Sequence, residues 1–445
     1  MLRLALSDLL HSPKTWLGLF IFAITCGCMC QFSFLLIHSA ESHGLMFSRV
    51  GTGMLLLTVI PSLPIASALS NLVVERQRYS YALWQLAGVS PRVVRRSVLV
   101  QLGLIGGLGA AFGASVSALL YEPVLPLVLP DLLDRSSSVA ITFYPSDLLE
   151  TCIYSMFVFV IGGHGSARRA SSTSPIAVLS STDCPTQKVP VLRILLSTFC
   201  LAVTVYLFLT MTESSMSTVT NAAFFLPIAI TACMSTLAPW LLPPMLRLWT
   251  VPLKLNVLLR LSREEACYTL ASSTSIELAI MTCFGMISGI SSSIRVLSSW
   301  YTASGSSIGT TINQTAKFIL FVCPAIVCLI GVAACTLAAA DDHKKFASTL
   351  VLIGFTRREI VVISLGESLI HAANALILGA ASAIISTLLN SFALGTHPFE
   401  DLDLSAGPFI GIAGVLLISW LLCFSSAYGA RLAMTDINAV ARDNF

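Results

Sequence analysis

Long apolar runs almost free of charge recur along the whole chain, and they decide what it can fold into. A helix needs about 20 such residues to cross about 30 Å of hydrocarbon at about 1.5 Å per residue. Ten segments approach or exceed that length: 16–37, 51–74, 98–120, 148–163, 194–211, 221–242, 270–294, 318–340, 360–389 and 406–428. Lipid offers no partner to a backbone N–H or C=O, so a spanning segment is a helix or a strand of a closed barrel. These runs are too long and continuous for barrel strands of about ten alternating residues. The expected fold is an all-α integral membrane protein of about ten transmembrane helices. Composition agrees, because 56% of the 445 residues are hydrophobic and 11% charged, where a soluble domain carries about a quarter charged.

Basic residues orient the chain. With the N-terminus inside, the inner segments hold 21 of the 25 Lys and Arg, and the outer ones only Arg49, Arg135, Arg295 and Lys317. Both termini are therefore expected in the cytoplasm. The net charge of +3 belongs to the inner membrane face, where it meets lipid and not nucleic acid. The first run, about 22 apolar residues after an amphipathic start, exceeds a signal-peptide core and reads as a retained helix.

A 22-residue segment occurs twice without gaps, each time between two of these runs. ERQRYSYALWQLAGVSPRVVRR begins at Glu75 and DDHKKFASTLVLIGFTRREIVV at Asp341. The offset of 266 pairs Glu75 with Asp341, Arg78 with Lys344, Leu86 with Leu352, Gly88 with Gly354, Ser90 with Thr356 and Arg92 with Arg358. A second match, ARRASSTSPIAV from Ala167 and GARLAMTDINAV from Gly429, pairs Arg169 with Arg431 and Ala177 with Ala439. The chain thus divides into a four-span unit (1–182), two linking spans (183–254) and a second four-span unit (255–445). An even number of spans separates the copies, so both units share one topology and a pseudo-two-fold axis along the membrane normal is expected.

Within each copy, apolar residues such as Ala82, Leu83, Leu86 and Ala87 alternate with polar ones as on a short surface helix. Gly88 suits a left-handed C-terminal cap. A new helix then begins, with Ser90 as cap and Pro91 in the first turn, or with Thr356 and Glu359 at the spacing of a capping box.

Chemistry of other kinds finds little support. Nearly all 13 cysteines fall inside the apolar runs. Cys26, Cys28 and Cys30 point to different faces of a helix, without His or acidic partners at ligand spacing, so they read as apolar filler and no metal site is expected. The seven histidines form no HExxH. No GxxxxGK[ST] loop occurs, so ATP could act only through a partner chain, and no cofactor of the chain's own is expected.

The acidic-basic start, a leucine two before a glycine, a Ser/Thr, an arginine and then a long span resemble the cytoplasmic coupling segment of FtsX/MacB-type ABC transporter permeases. The Gly-rich third span, GLIGGLGAAFG from Gly103, and the Arg-containing tails resemble that family too. Two four-span units joined by two spans are most similar to its ten-span, bacitracin-resistance-type members. That resemblance implies a permease of the bacterial plasma membrane, served by two copies of a cytoplasmic ATPase that carries ATP and Mg. It assigns the docking surface to Glu75, Arg76, Arg78, Leu83, Leu86, Gly88 and Arg92, and to Asp341, Lys344, Lys345, Leu352, Gly354 and Arg358. It also implies extrusion or release of an amphipathic substrate such as an antimicrobial peptide or lipid. One departure is large: that family's extracellular domain is replaced here by the short segment 295–317.

Ionisable groups inside spans are costly and count as functional candidates. Glu367, His371 and Asn374 form one polar stripe on a helix, the repeat sets Glu367 opposite Gln101, and Glu277 and Glu150 are placed near span ends, where they would snorkel or pair. Gly103 with Gly107, and Gly109 with Gly113, are small-residue pairs suited to close helix contact. Pro61, Pro64, Pro227 and Pro239 are expected to kink their helices. Two other readings stay open: an ion-coupled secondary transporter, and an ATPase-driven signal transmitter acting on a sensor kinase or cell-envelope enzyme.

Overall fold

The computed structural model describes residues 9, 13–43, 45–128, 144–172, 191–213, 216–252, 256–304 and 314–404. They form α1 (Pro13–His43), α2 (Leu45–Arg76), α3 (Arg78–Leu86), α4 (Pro91–Val128), α5 (Pro145–Ser172), α6 (Val191–Glu213), α7 (Met216–Trp249), α8 (Val257–Ala303), α9 (Gln314–Ile353) and α10 (Arg357–Leu394). No strand occurs among the described residues. The chain is an all-α, multi-pass membrane protein. Eight helices are long and apolar enough to cross a membrane: α1, α2, α4, α5, α6, α7, α8 and α10. α9 carries a shorter apolar stretch, Pro324–Ala338. The tenth expected span, 406–428, and the tail after it lie outside the described residues.

In the first unit α1 lies against α2 and α4, while α5 closes on α2 and α4; in the second, α8 lies against α9 and, over its whole length, α10. The units meet through α2 on α9, with α1 on α9 and α2 on α8. Exchanging α1 with α8 and α2 with α9 maps these contacts onto one another, the reciprocity of an isologous two-fold interface. The apolar core runs across that interface, joining Leu19, Phe22, Ile65 and Leu69 to Ala279, Ile280, Val327 and Val332. Linking helices α6 and α7 pair with each other, and both pack on α10, with α7 also on α8.

The two copied segments differ in one respect. Both were expected as short separate helices; the first is one (α3), but the second is the unbroken C-terminal end of α9. The break in the first copy falls at Gln77 (φ −91°, ψ 4°), whose side chain accepts a hydrogen bond from the buried Tyr81 hydroxyl. Tyr81 is answered in the repeat by Ala347, also buried. At this position only the first copy carries a ring, and only the first copy is broken ahead of it. The expected kinking prolines Pro61, Pro64, Pro227 and Pro239 all lie inside continuous helices.

The start of α10 is fixed by the expected capping box. Thr356 Oγ1 accepts from the Glu359 N–H (3.4 Å), and Glu359 accepts from the Thr356 N–H (2.8 Å). Replacing Thr356 by alanine is expected to cost about 1 kcal/mol locally. Amide exchange at Arg358–Ile360 should quicken about fivefold, and exchange in mid-α10 should not change.

Candidate functional site

The repeat builds the same terminus twice. Gly88 and Gly354 have φ of 90° and 102°, where a side chain is disfavoured. The Gly88 N–H donates to the Gln85 carbonyl (3.1 Å) and the Val89 N–H to Trp84 (3.0 Å). At the 266-residue offset, Gly354 donates to Val351 (3.0 Å) and Phe355 to Leu350 (3.1 Å). A six-to-one bond of this kind satisfies orphan carbonyls at a helix end and reverses the chain sharply.

That reversal leaves equivalent leucines in the open. Leu86 is 58% and Leu352 71% exposed. Tyr79 and Leu83 join Leu86, and Ile353 joins Leu352, as exposed apolar residues. Glu75, Arg76, Arg92 and Arg358 are exposed beside them, and Arg78 pairs with Glu75 at 3.2 Å. The side chains of Asp341, Lys344 and Lys345 lie outside the described residues. α3 is tied to its own unit by Gln85, whose amide donates to the Ala170 carbonyl at the end of α5 (3.4 Å).

The second candidate is a polar cluster between α8 and α10. Glu277 (0% exposed), Glu367 (1%) and His371 (3%) are brought together there with Asn374. His371 Nδ1 bonds Glu277 Oε1, and the Asn374 amide donates to Glu277 Oε2 at 2.9 Å. The other imidazole nitrogen lies 3.3 Å from the Thr269 hydroxyl, which is 2.9 Å from Glu367 Oε1. The Trp249 indole of α7 donates to Asn374 Oδ1 at 3.2 Å. Glu277, the second residue of the span Ile276–Ala303, thus stands at a span end as expected, and of the two expected behaviours it pairs and does not snorkel. α8 begins at Val257, so Glu277 sits five turns into it and pairs inward. Gln101, equivalent to Glu367 by the repeat, is buried on α4 in the other unit, and Glu150 is exposed on α5.

Sequence reasoning missed Thr269, Glu265 and Trp249. The four-residue spacing of Glu265, Thr269, Ser273 and Glu277 was the available signal, since it draws one polar stripe along α8. At the opposite end of the bundle, Arg295 pairs with Asp403 (3.0 Å), and His38 lies 3.0 Å from Asp147. The described cysteines are free thiols, and no group of metal-binding side chains occurs among the described residues.

No family model matches the chain, and no curated protein matches it.

Proposed function

We propose that this chain is the permease subunit of an ATP-driven transporter in a bacterial plasma membrane. Two copies of a cytoplasmic ATPase, carrying ATP and Mg, dock on the paired segments, and their closure moves the two units against each other. The cargo class that fits is an amphipathic or lipophilic molecule handled at the membrane, because the segments expected on the outer side between spans are short. One observation carries the reading: equivalent left-handed glycine caps present Leu86 and Leu352 to solvent at one end of a two-fold bundle. Exposed leucines at matched places beside charged residues suit two identical partners, since large apolar side chains at an interface centre carry most of the binding energy.

Leu86→Asp and Leu352→Asp are each expected to weaken ATPase association about tenfold or more. The double variant should lose ATP hydrolysis stimulated by the complex. The measurement is co-purification with ATPases of the same cell, followed by ATP turnover. Unchanged association and turnover in the double variant, or in charge reversals at Arg78 and Lys344, would sink the docking assignment. A second reading, ion-coupled transport without an ATPase, is favoured by the buried Glu277–His371 pair. It requires pH-gradient-driven uptake by the chain alone.

A further inference from the structure

We infer that an anionic phospholipid binds in a recess on the α4–α5 pair, its phosphate over Gly165 between Arg168 and Arg95 and one acyl chain along Ile161, Phe157 and Ile153. The inference does not depend on the ATPase reading, because none of these residues is among those assigned to ATPase docking.

The two helices run antiparallel in a fixed register. Arg95 Nη2 lies 2.9 Å from His164 Nε2. Deeper in the bundle Ser155 donates to the Gly106 carbonyl (3.1 Å), and a Cβ on Gly103 would meet Val160 and Met156. Arg168 stands one turn beyond His164, so it and Arg95 differ in depth by about 5 Å, within reach of one headgroup. A guanidinium only donates, so His164 Nε2 accepts from Arg95 and the neutral imidazole carries its hydrogen on Nδ1. His164 thus holds Arg95 in place without neutralising it. Arg95 is partly buried, whereas Arg96 beside it and Arg168 are exposed. Three guanidinium groups gather at this end of the pair, and their planar N–H forks match phosphate oxygens.

The apolar part of the ligand is specified by α5. Ile153, Phe157, Ile161 and Gly165 follow one another at a turn's spacing, and all are exposed. On a helix long and apolar enough to cross a membrane, such a line of side chains meets acyl chains. It leads to Gly165, where a Cβ would meet nothing within 4 Å, so the line ends in open space beside His164 and one turn short of Arg168. Basic pockets between helices at a membrane surface hold phosphate headgroups in this way. A choline headgroup would bring its own cation against the arginines, so the recess selects net negative charge.

The second unit does not repeat the set. At the 266-residue offset Arg95 and Arg96 are answered by Val361 and Val362. At the offset that pairs Arg169 with Arg431, His164, Gly165 and Arg168 are answered by Ser426, Ala427 and Ala430. The basic recess therefore belongs to the first unit, one per chain.

The test is native mass spectrometry of the delipidated full-length protein in mild detergent, titrated with phosphatidylglycerol, phosphatidylcholine or inorganic phosphate. One phosphatidylglycerol per chain should be held about tenfold more tightly than phosphatidylcholine, and excess inorganic phosphate should not displace it. Arg168→Gln should weaken binding about fivefold, and Arg95→Gln combined with it about 20-fold. Arg260→Gln, which removes an exposed arginine from α8, should leave binding unchanged. Gly165→Leu adds a side chain where there is space and removes no charge, and it should abolish the tight site. Equal affinity for the two lipids would overturn the inference. So would unchanged phosphatidylglycerol binding in both Arg168→Gln and Gly165→Leu, two exposed positions that tolerate exchange. Displacement by inorganic phosphate would show that the recess takes the free anion, which overturns the lipid assignment.

Discussion

Replacing His371 by leucine is expected to destabilise the protein by about 3–4 kcal/mol at pH 7, one of the largest single-site effects in the bundle. The imidazole is bonded on one side to Glu277 and on the other to Thr269, within reach of Glu367. Breaking a buried pair by removing one partner costs about 3–5 kcal/mol, because the remaining charge keeps its desolvation penalty. A ceiling applies, since the orphaned carboxyl can take up a proton instead. Protonating a glutamate of ordinary pKa near 4.3 at pH 7 costs about 4 kcal/mol. The penalty also has a definite pH dependence. The variant's native state holds a proton that the solvated unfolded carboxylate has released, so stability falls as pH rises and recovers towards about pH 4. Unfolding in mixed micelles at about pH 5 and about pH 8 is the check. Interhelical hydrogen bonds in membranes average only about 0.6 kcal/mol. A pH-independent loss of that size would show the cluster to be ordinary polar packing.

What could be read from the sequence was local. The caps at Gly88 and Gly354 and the box at Thr356 depend on contacts within six residues, so spacing alone revealed them. The stripe Glu367, His371, Asn374 was legible for the same reason, being one face of one helix. Its partners were not. Glu277 and Thr269 reach it from α8 and Trp249 from α7, and no periodicity along one helix reports which face a neighbour brings. Hydropathy placed Glu277 at a span end, and the apolar span does begin at Ile276, but hydropathy does not mark where the helix begins. α8 runs on from Val257, well before the apolar run. The pairing of Gln101 with Glu367 had the opposite fault. It is correct as an alignment, but symmetry-related positions occupy different units, so alignment implied no contact.

The Gly-rich third span gives the sharpest contrast available within one helix. Gly107→Ala is expected to be neutral or stabilising by up to about 1 kcal/mol, whereas Gly113→Ala should cost about 3 kcal/mol. A Cβ on Gly107 meets nothing within 4 Å, and alanine removes backbone freedom from the unfolded chain. A Cβ on Gly113 would overlap the Ile24 carbonyl oxygen and press on the Cys28 backbone nitrogen at 2.7 Å. Those are backbone atoms of α1, so no rotamer change relieves them and α1 must move away from α4. Gly379, its counterpart by the repeat, meets the Phe284 ring at 2.8 Å and the Met281 oxygen at 3.0 Å. Its alanine variant should fall between the other two. Thermal melting of the three variants in detergent, followed by size-exclusion chromatography, checks the order, and equal tolerance at Gly107 and Gly113 would refute the close contact. α4 begins at Pro91, directly after the α3 cap, and packs on α1 and α5, so on the proposed permease reading motion of the docking segment enters the bundle through α4. On the proposed permease reading, Gly113→Ala should reduce ATP-driven transport more than ATPase association, whereas Leu86→Asp should reduce both together.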